Sequence, residues 1–151
     1  NRSFLTDHFP TLLAGAQRRR ERLAVIQIDL DRFKTINDFL GHNAGDRLLV
    51  DLAGRLSTHV RSTDTLSRPG GDEFHLLLSN LSEPDAIVTF LGELMDDLQQ
   101  PFRIDGQELT TSVSVGVAIY PEDGVDFETL LKNSKASSTV ISNTSAIVLP
   151  L

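Results

Sequence analysis

The chain has 151 residues, 40% hydrophobic and 23% charged, with a formal charge of -7 and no cysteine. That length and mix predict one globular domain (1-151) with room for a core. The acidic balance excludes a general nucleic-acid binder, though not capture of one nucleotide beside a cation. The lack of cysteine excludes disulfides and thiolate zinc sites, and no run nears the roughly 18 apolar residues of a membrane span or looks like a signal peptide.

In chain order, Ser3 to Arg22 reads as a helix with Phe4, Leu5, Phe9, Leu12 and Leu13 as its apolar positions; Pro10 should kink it or mark a late start. Its end, Gln17 to Arg22, carries four arginines, expected on a solvated face. Leu23 to Ile28 reads as a strand. Asp31 is placed to cap the next helix, where Phe33, Ile36 and Leu40 recur at helical spacing and which Gly41 stops. A longer helix from Gly45 to His59 turns Leu48, Leu49, Leu52, Leu56 and Val60 inward. Leu66 opens a weak strand, and Gly70-Gly71 should supply the positive φ angles of a tight hairpin into the apolar run Phe74 to Leu78.

Pro84-Asp85 then opens a helix bearing Ile87, Phe90, Leu91, Leu94 and Leu98. Phe102 to Ile104, the Asp105-Gly106 turn and the residues from Leu109 onward form a second hairpin. Val113, Val115, Val117 and Ile119 alternate as in a strand with one buried face. Pro121 to Gly124 is a loop, and Phe127 to about Lys135 starts a last helix. Helices interleaved with antiparallel hairpins predict an α+β fold, a mixed, mainly antiparallel central sheet flanked by helices.

Two strand ends carry carboxylates: Asp29 with Asp31, and Asp72 with Glu73 at the hairpin tip. Such pairs suit a hard divalent cation, and the cation suits a phosphate substrate. Turns also favour these residue types for purely structural reasons. Lys34 and Asn37 lie three apart and share a helix face, while Phe33 and Ile36 point elsewhere, most simply to the core. His8, His59 and His75 suggest no function, and no histidine pair has metal spacing.

Gly70-Gly71-Asp72-Glu73-Phe74 spells the motif that names the GGDEF family, the diguanylate cyclases. Ile28 to Asp38 resembles the family's strand-to-helix signature and Gly41 to Leu49 the segment after it. Ser114 to Ala118 and Tyr120 to Gly124 match further along, and the resemblance spans roughly Asn1 to Ser134 with every spacing in step. It implies a palm-like fold related to nucleotidyl cyclases and some polymerases. It also implies a reaction: two GTP condense into cyclic di-GMP with release of two pyrophosphates. Each subunit of a transient homodimer presents one GTP, and each 3′-hydroxyl attacks the other's α-phosphate.

By the same resemblance, Asp29, the Leu30 carbonyl, Asp72 and Glu73 hold Mg²⁺ (or Mn²⁺), and Asp72 accepts the proton. Lys34 contacts the triphosphate, helped by backbone N–H groups near Arg32 and Phe33 at the helix start. Asn37 and Asp46 match the guanine readers: a carboxylate accepts both the ring N–H and the exocyclic amine of guanine, a donor pair that adenine lacks. His42 follows Gly41 in a turn, either touching the nucleotide or making a structural hydrogen bond. Arg61-Ser62-Thr63-Asp64, five residues before Gly70, matches the family's inhibitory product site. There arginine grips phosphate and stacks on guanine while aspartate reads the base edge.

Two segments depart from the family. The usual Asp-x-Leu-Thr-Gly-Leu lead-in is absent before Asn1-Arg2, and the chain opens without Met, as expected of a piece of something longer. The segment 135-151 is atypical. Aligned without a gap, Ser142 stands for the family's phosphate-binding lysine and Ala146 for its arginine; with a gap, Lys135-Ala136-Ser137 matches the lysine stretch and Thr139 stands for the arginine.

The sequence therefore predicts a diguanylate cyclase domain of the cytoplasm, within a protein whose membrane anchor, if any, lies outside this segment. It binds GTP and cyclic di-GMP and no nucleic acid polymer. The alternative is a weak or inactive GTP- or cyclic di-GMP-binding regulatory module. Gln100-Pro101-Phe102 and Tyr120 to Gly124 resemble versions joined to an EAL phosphodiesterase domain, with sensory domains as other expected neighbours.

Overall fold

The most buried strand dictates the architecture. In Arg22–Leu30 (β1), every residue but Arg22 and Asp29 is buried. A strand apolar on both faces must lie inside a sheet covered on both sides. In the computed structural model, which describes residues 2–83, 85–141 and 147–148, β1 pairs antiparallel with β3 (Glu73–Leu81) on one side and β6 (Val113–Tyr120) on the other. β2 (Thr65–Gly70), β7 (Thr139–Ile141) and β8 (Ile147–Val148) complete a sheet of order β2-β3-β1-β6-β7-β8. Every described pairing in it is antiparallel. β4 (Phe102–Ile104) and β5 (Gln107–Leu109) form a separate hairpin, so the residues from Leu109 divide between two sheets.

The helices are α1 (Arg2–Arg19), α2 (Phe33–Leu40), α3 (His42–His59), α4 (Asp85–Leu98) and α5 (Phe127–Ala136). Strand alternation sends Ala24, Ile26, Ile28 and Leu30 of β1 to one face, against Ile36 of α2, Leu48, Leu52 and Leu56 of α3, and Leu94 and Leu98 of α4. Leu23 and Val25 go to the other face, with Leu5 and Phe9 of α1 and Phe127 and Leu130 of α5. The chain is α+β, as its pattern predicts. Among the described residues no helix is long and apolar enough to cross a membrane.

Several local expectations change. α1 runs through Pro10 and ends at Arg19. α3 starts at His42 rather than Gly45, because Gly41 at φ 91° serves both the end of α2 and the start of α3. β1 extends to Leu30, which puts Asp29 inside the strand. Only Gly71 (φ 58°) of the glycine pair takes a positive φ. Asp31 caps nothing: the residue before α2 is Arg32, with no side-chain cap. Ser142 and Ala146 lie outside the described residues, as does Pro84.

Candidate active site

The acidic residues meet at one end of the sheet. Asp29 faces Glu73 across β1 and β3 and Ser114 across β1 and β6. The Leu30 N–H donates to the Asp72 carbonyl at 3.3 Å, tying the hairpin turn to the end of β1. Like charges directly opposite in a sheet repel. Burial, then Glu73, then Asp72, push the Asp29 carboxyl up from 3.8 to about 6, while Lys135 of α5 pulls it down. This face therefore asks for a cation. Among the described residues, no three acidic or histidine side chains converge on one point. The donor set fits a small hard ion that takes one or two carboxylates and fills its remaining sites with phosphate oxygens and water, which is how Mg²⁺ is usually bound.

The link from β1 to α2 is held from the side. The Asp31 carboxylate accepts hydrogen bonds from the hydroxyls of Ser112 and Ser114, both at 2.7 Å. Its N–H donates to the Ser112 carbonyl at 3.0 Å, and its carbonyl accepts from Thr111 Oγ1 at 3.2 Å. Arg32 then sits in the left-handed region (φ 58°, ψ 30°), a conformation that costs about 1 kcal/mol in a residue with a Cβ. The reward is a sharp entry into α2, whose first N–H groups, at Phe33 and Lys34, are available to an anion. Lys34 is exposed beside them.

Asn37 reaches toward α3. A Cβ on Gly45 would fall 1.7 Å from Asn37 Oδ1, so only glycine allows this approach. Oδ1 is buried with no hydrogen-bond partner. Asp46, the next residue after Gly45, is exposed and lines a groove of about 330 Å³ with Arg47, Arg103 and Asp105. Phe33 packs against the α3 side of the core. His42 is exposed at the first residue of α3.

Arg61 and Asp64 form a closed pair. Arg61 Nε and Nη2 donate to the two Asp64 oxygens at 2.9 and 2.8 Å, and Nη2 also donates to the Ser79 carbonyl at 2.7 Å. The Asp64 side chain is fully buried while that of Arg61 is 45% exposed. Its hydrogen bond to Asp64 raises the Arg61 pKa further above its ordinary value.

Three features were missed from the sequence. The Ser112 and Ser114 partnership with Asp31 had a signal, since extended residues two apart at the start of β6 share a side opposite Val113 and Val115. The closeness of α5 to the sheet also had one. Gly116 sits inside a strand, and a Cβ there would lie 1.9 Å from the Ser134 carbonyl. That closeness brings Lys135 into range of Asp29 and lets Gln27 Nε2 donate to the Leu131 carbonyl at 2.7 Å. His75 is the third: it is 1% exposed, and its Nε2 lies 2.5 Å from Glu73 Oε1.

The chain belongs to the diguanylate cyclase GGDEF domain family, whose model matches residues 1–141. It is 40% identical over 137 residues to the bifunctional diguanylate cyclase/cyclic di-GMP phosphodiesterase MucR of Pseudomonas aeruginosa, covering 91% of this chain and 20% of MucR. It is 42% identical over 123 residues to the diguanylate cyclase TpbB of the same organism, covering 81% of this chain and 28% of TpbB. The crystal structure of the TpbB GGDEF domain superposes with a TM-score of 0.84 at 39% identity, covering 91% of this chain and 86% of that one. An EAL/GGDEF domain protein from M. capsulatus gives a TM-score of 0.73 at 39% identity, covering 91% and 88%. The chain thus spans less than a third of either curated relative.

Proposed function

We propose that this chain condenses two GTP into cyclic di-GMP, one nucleotide on each subunit of a homodimer. The observation that carries the reading is the set of Asp29, Asp72 and Glu73 at one sheet end, where burial first, and repulsion from Glu73 and Asp72 second, lift Asp29 to about 6. Asp29, Asp72 and Glu73 are the candidate carboxylates, one or two of which, with the Leu30 carbonyl, would hold Mg²⁺ or Mn²⁺. When bound, that ion stabilises charge on the α-phosphate and the departing pyrophosphate.

The protein's own groups do the rest. The N–H groups at the start of α2 and the Lys34 ammonium grip the triphosphate. Asn37 Oδ1, buried and without a partner, offers an acceptor to a guanine N–H, and Asp46 offers the second. Asp72 accepts the proton of the 3′-hydroxyl as the new bond to phosphorus forms and the bond to pyrophosphate breaks. Lys135 stands in for the family's C-terminal lysine. Dependence on GTP assigns this chemistry to the cytoplasm.

A second reading, a GTP- or cyclic di-GMP-binding module that regulates a neighbouring EAL domain without turnover, is favoured by one observation. Neither alignment of the C-terminal segment supplies the family's phosphate-binding arginine. Incubation of the chain with GTP and Mg²⁺ separates the two. Turnover predicts cyclic di-GMP and pyrophosphate from the wild type and none from Asp72→Ala. GTP binding without product, in a demonstrably dimeric sample, establishes the regulatory module instead.

Arg61 and Asp64 form the inhibitory site in this reading. Cyclic di-GMP would engage the exposed part of the guanidinium while Asp64 keeps its backbone bonds from Arg61 N and Ser79 N. Calorimetry should show cyclic di-GMP affinity falling in Arg61→Ala; equal affinity sinks the assignment.

A further inference from the structure

β3 begins at the acidic end of the sheet, and alternation puts Glu73 and His75 on the same face. His75 is fixed in place. It is 1% exposed in a strand whose next residues, Leu76, Leu77 and Leu78, are all buried, and it pairs across the sheet with Gln27 of β1 and Ser67 of β2. Glu73 is the less buried partner, with its side chain 29% exposed. The contact runs from the buried ring to the freer carboxylate: Nε2 to Oε1, 2.5 Å. An ionised carboxylate has no hydrogen to give, so the ring nitrogen is the donor and Nε2 carries the proton. One of the two Glu73 oxygens is therefore occupied before any ligand arrives.

We propose that His75 is a positioning residue: it occupies Oε1 of Glu73, so that Glu73 offers a cation only Oε2, and the site favours Mg²⁺ or Mn²⁺ over Ca²⁺. The inference rests on the reading of Glu73 as a metal ligand. Ca²⁺ gathers six to eight oxygens at longer range and readily takes both oxygens of one carboxylate, whereas Mg²⁺ requires near-octahedral geometry. A hydrogen bond on Oε1 opposes two-oxygen chelation and leaves one-oxygen binding untouched. The carboxylate–histidine contact outside a metal site is a common means of orienting a ligand, and its loss changes metal affinity about 10- to 100-fold.

The test titrates Mn²⁺ and Ca²⁺ separately into the chain with a GTP analogue bearing a methylene between its α- and β-phosphates, which cannot release pyrophosphate. His75→Leu, and His75→Asn whose amide is too short to reach Oε1, should each lower the Mn²⁺-over-Ca²⁺ preference about tenfold, while His75→Gln, which can still donate to Oε1, retains it. Glu73→Gln should weaken Mn²⁺ binding. If Glu73→Gln weakens Mn²⁺ but neither His75→Leu nor His75→Asn alters the preference, His75 does not position Glu73 and the metal reading stands. If Glu73→Gln leaves Mn²⁺ binding unchanged, the metal reading of Glu73 fails and the inference falls with it. Nitrogen NMR of the wild-type imidazole gives an independent answer: a proton on Nε2 is expected, and a bare Nε2 overturns the proposal.

Discussion

Without a cation, Asp29 is a carboxylate that the fold disfavours in its charged form. Its carboxyl titrates near 6 in the folded protein against 3.8 ordinarily. Between those values the folded state binds more protons than the unfolded one, so stability falls as pH rises through this window and stays lower above it. Thermal melts of the metal-free chain should show that fall. Asp29→Asn should flatten it and stabilise the metal-free chain at pH 7 by about 1 kcal/mol, the part of such a shift that survives solvent screening. Lys135→Ala should extend the window upward, since Lys135 is the cation that holds Asp29 down. Melts with no pH dependence between 3.8 and 6 would remove the electrostatic argument for the site. The places of Asp29, Asp72 and Glu73 at strand ends were legible because each lies beside its own apolar run, and the pairing of β1 with β3 brings those two ends together. Asp31 was misread as a helix cap because its real partners, Ser112 and Ser114, are 81 and 83 residues away. His75 showed nothing in sequence, since burial turns an ordinary strand residue into a fixed donor only once the sheet is assembled.

At the scale of elements, close approach does what side-chain bulk cannot. Gly116 lets the end of α5 lie directly on β6, with the Ser137 hydroxyl donating to the Val117 carbonyl at 2.8 Å. Gly116→Ala would set a Cβ against backbone, which cannot rotate away. It should cost about 3 kcal/mol in chemical denaturation and weaken GTP binding as Lys135 moves off; an unchanged midpoint would show that α5 has room to shift. Helix and strand identities were mostly readable, because α3 and β6 have strong apolar periodicity and β1 is a short continuous apolar run. Boundaries were less so. β1 continues through Asp29 because pairing on both sides outweighs the low strand preference of aspartate. At Gly41 one left-handed glycine joins two helices where sequence suggests a longer gap.

For the whole molecule, the sheet divides the core in two. α2, α3 and α4 cover one face and α1 and α5 the other, while Asp29, Asp72 and Glu73 at the end of β1 and β3 stay partly exposed. In the proposed reaction each chain presents one guanine nucleotide, while the product contains two. That proposal calls for two copies facing each other, and the rate should report it. The most direct measurement is the initial rate of cyclic di-GMP formation from GTP and Mg²⁺ across a dilution series of the chain. Product should disappear in Asp72→Ala and, while monomer predominates, its rate of formation should rise as the square of protein concentration. Product whose rate stays strictly proportional to concentration in a monomeric sample, or no product from a sample shown to be dimeric, would overturn the proposed two-copy reaction.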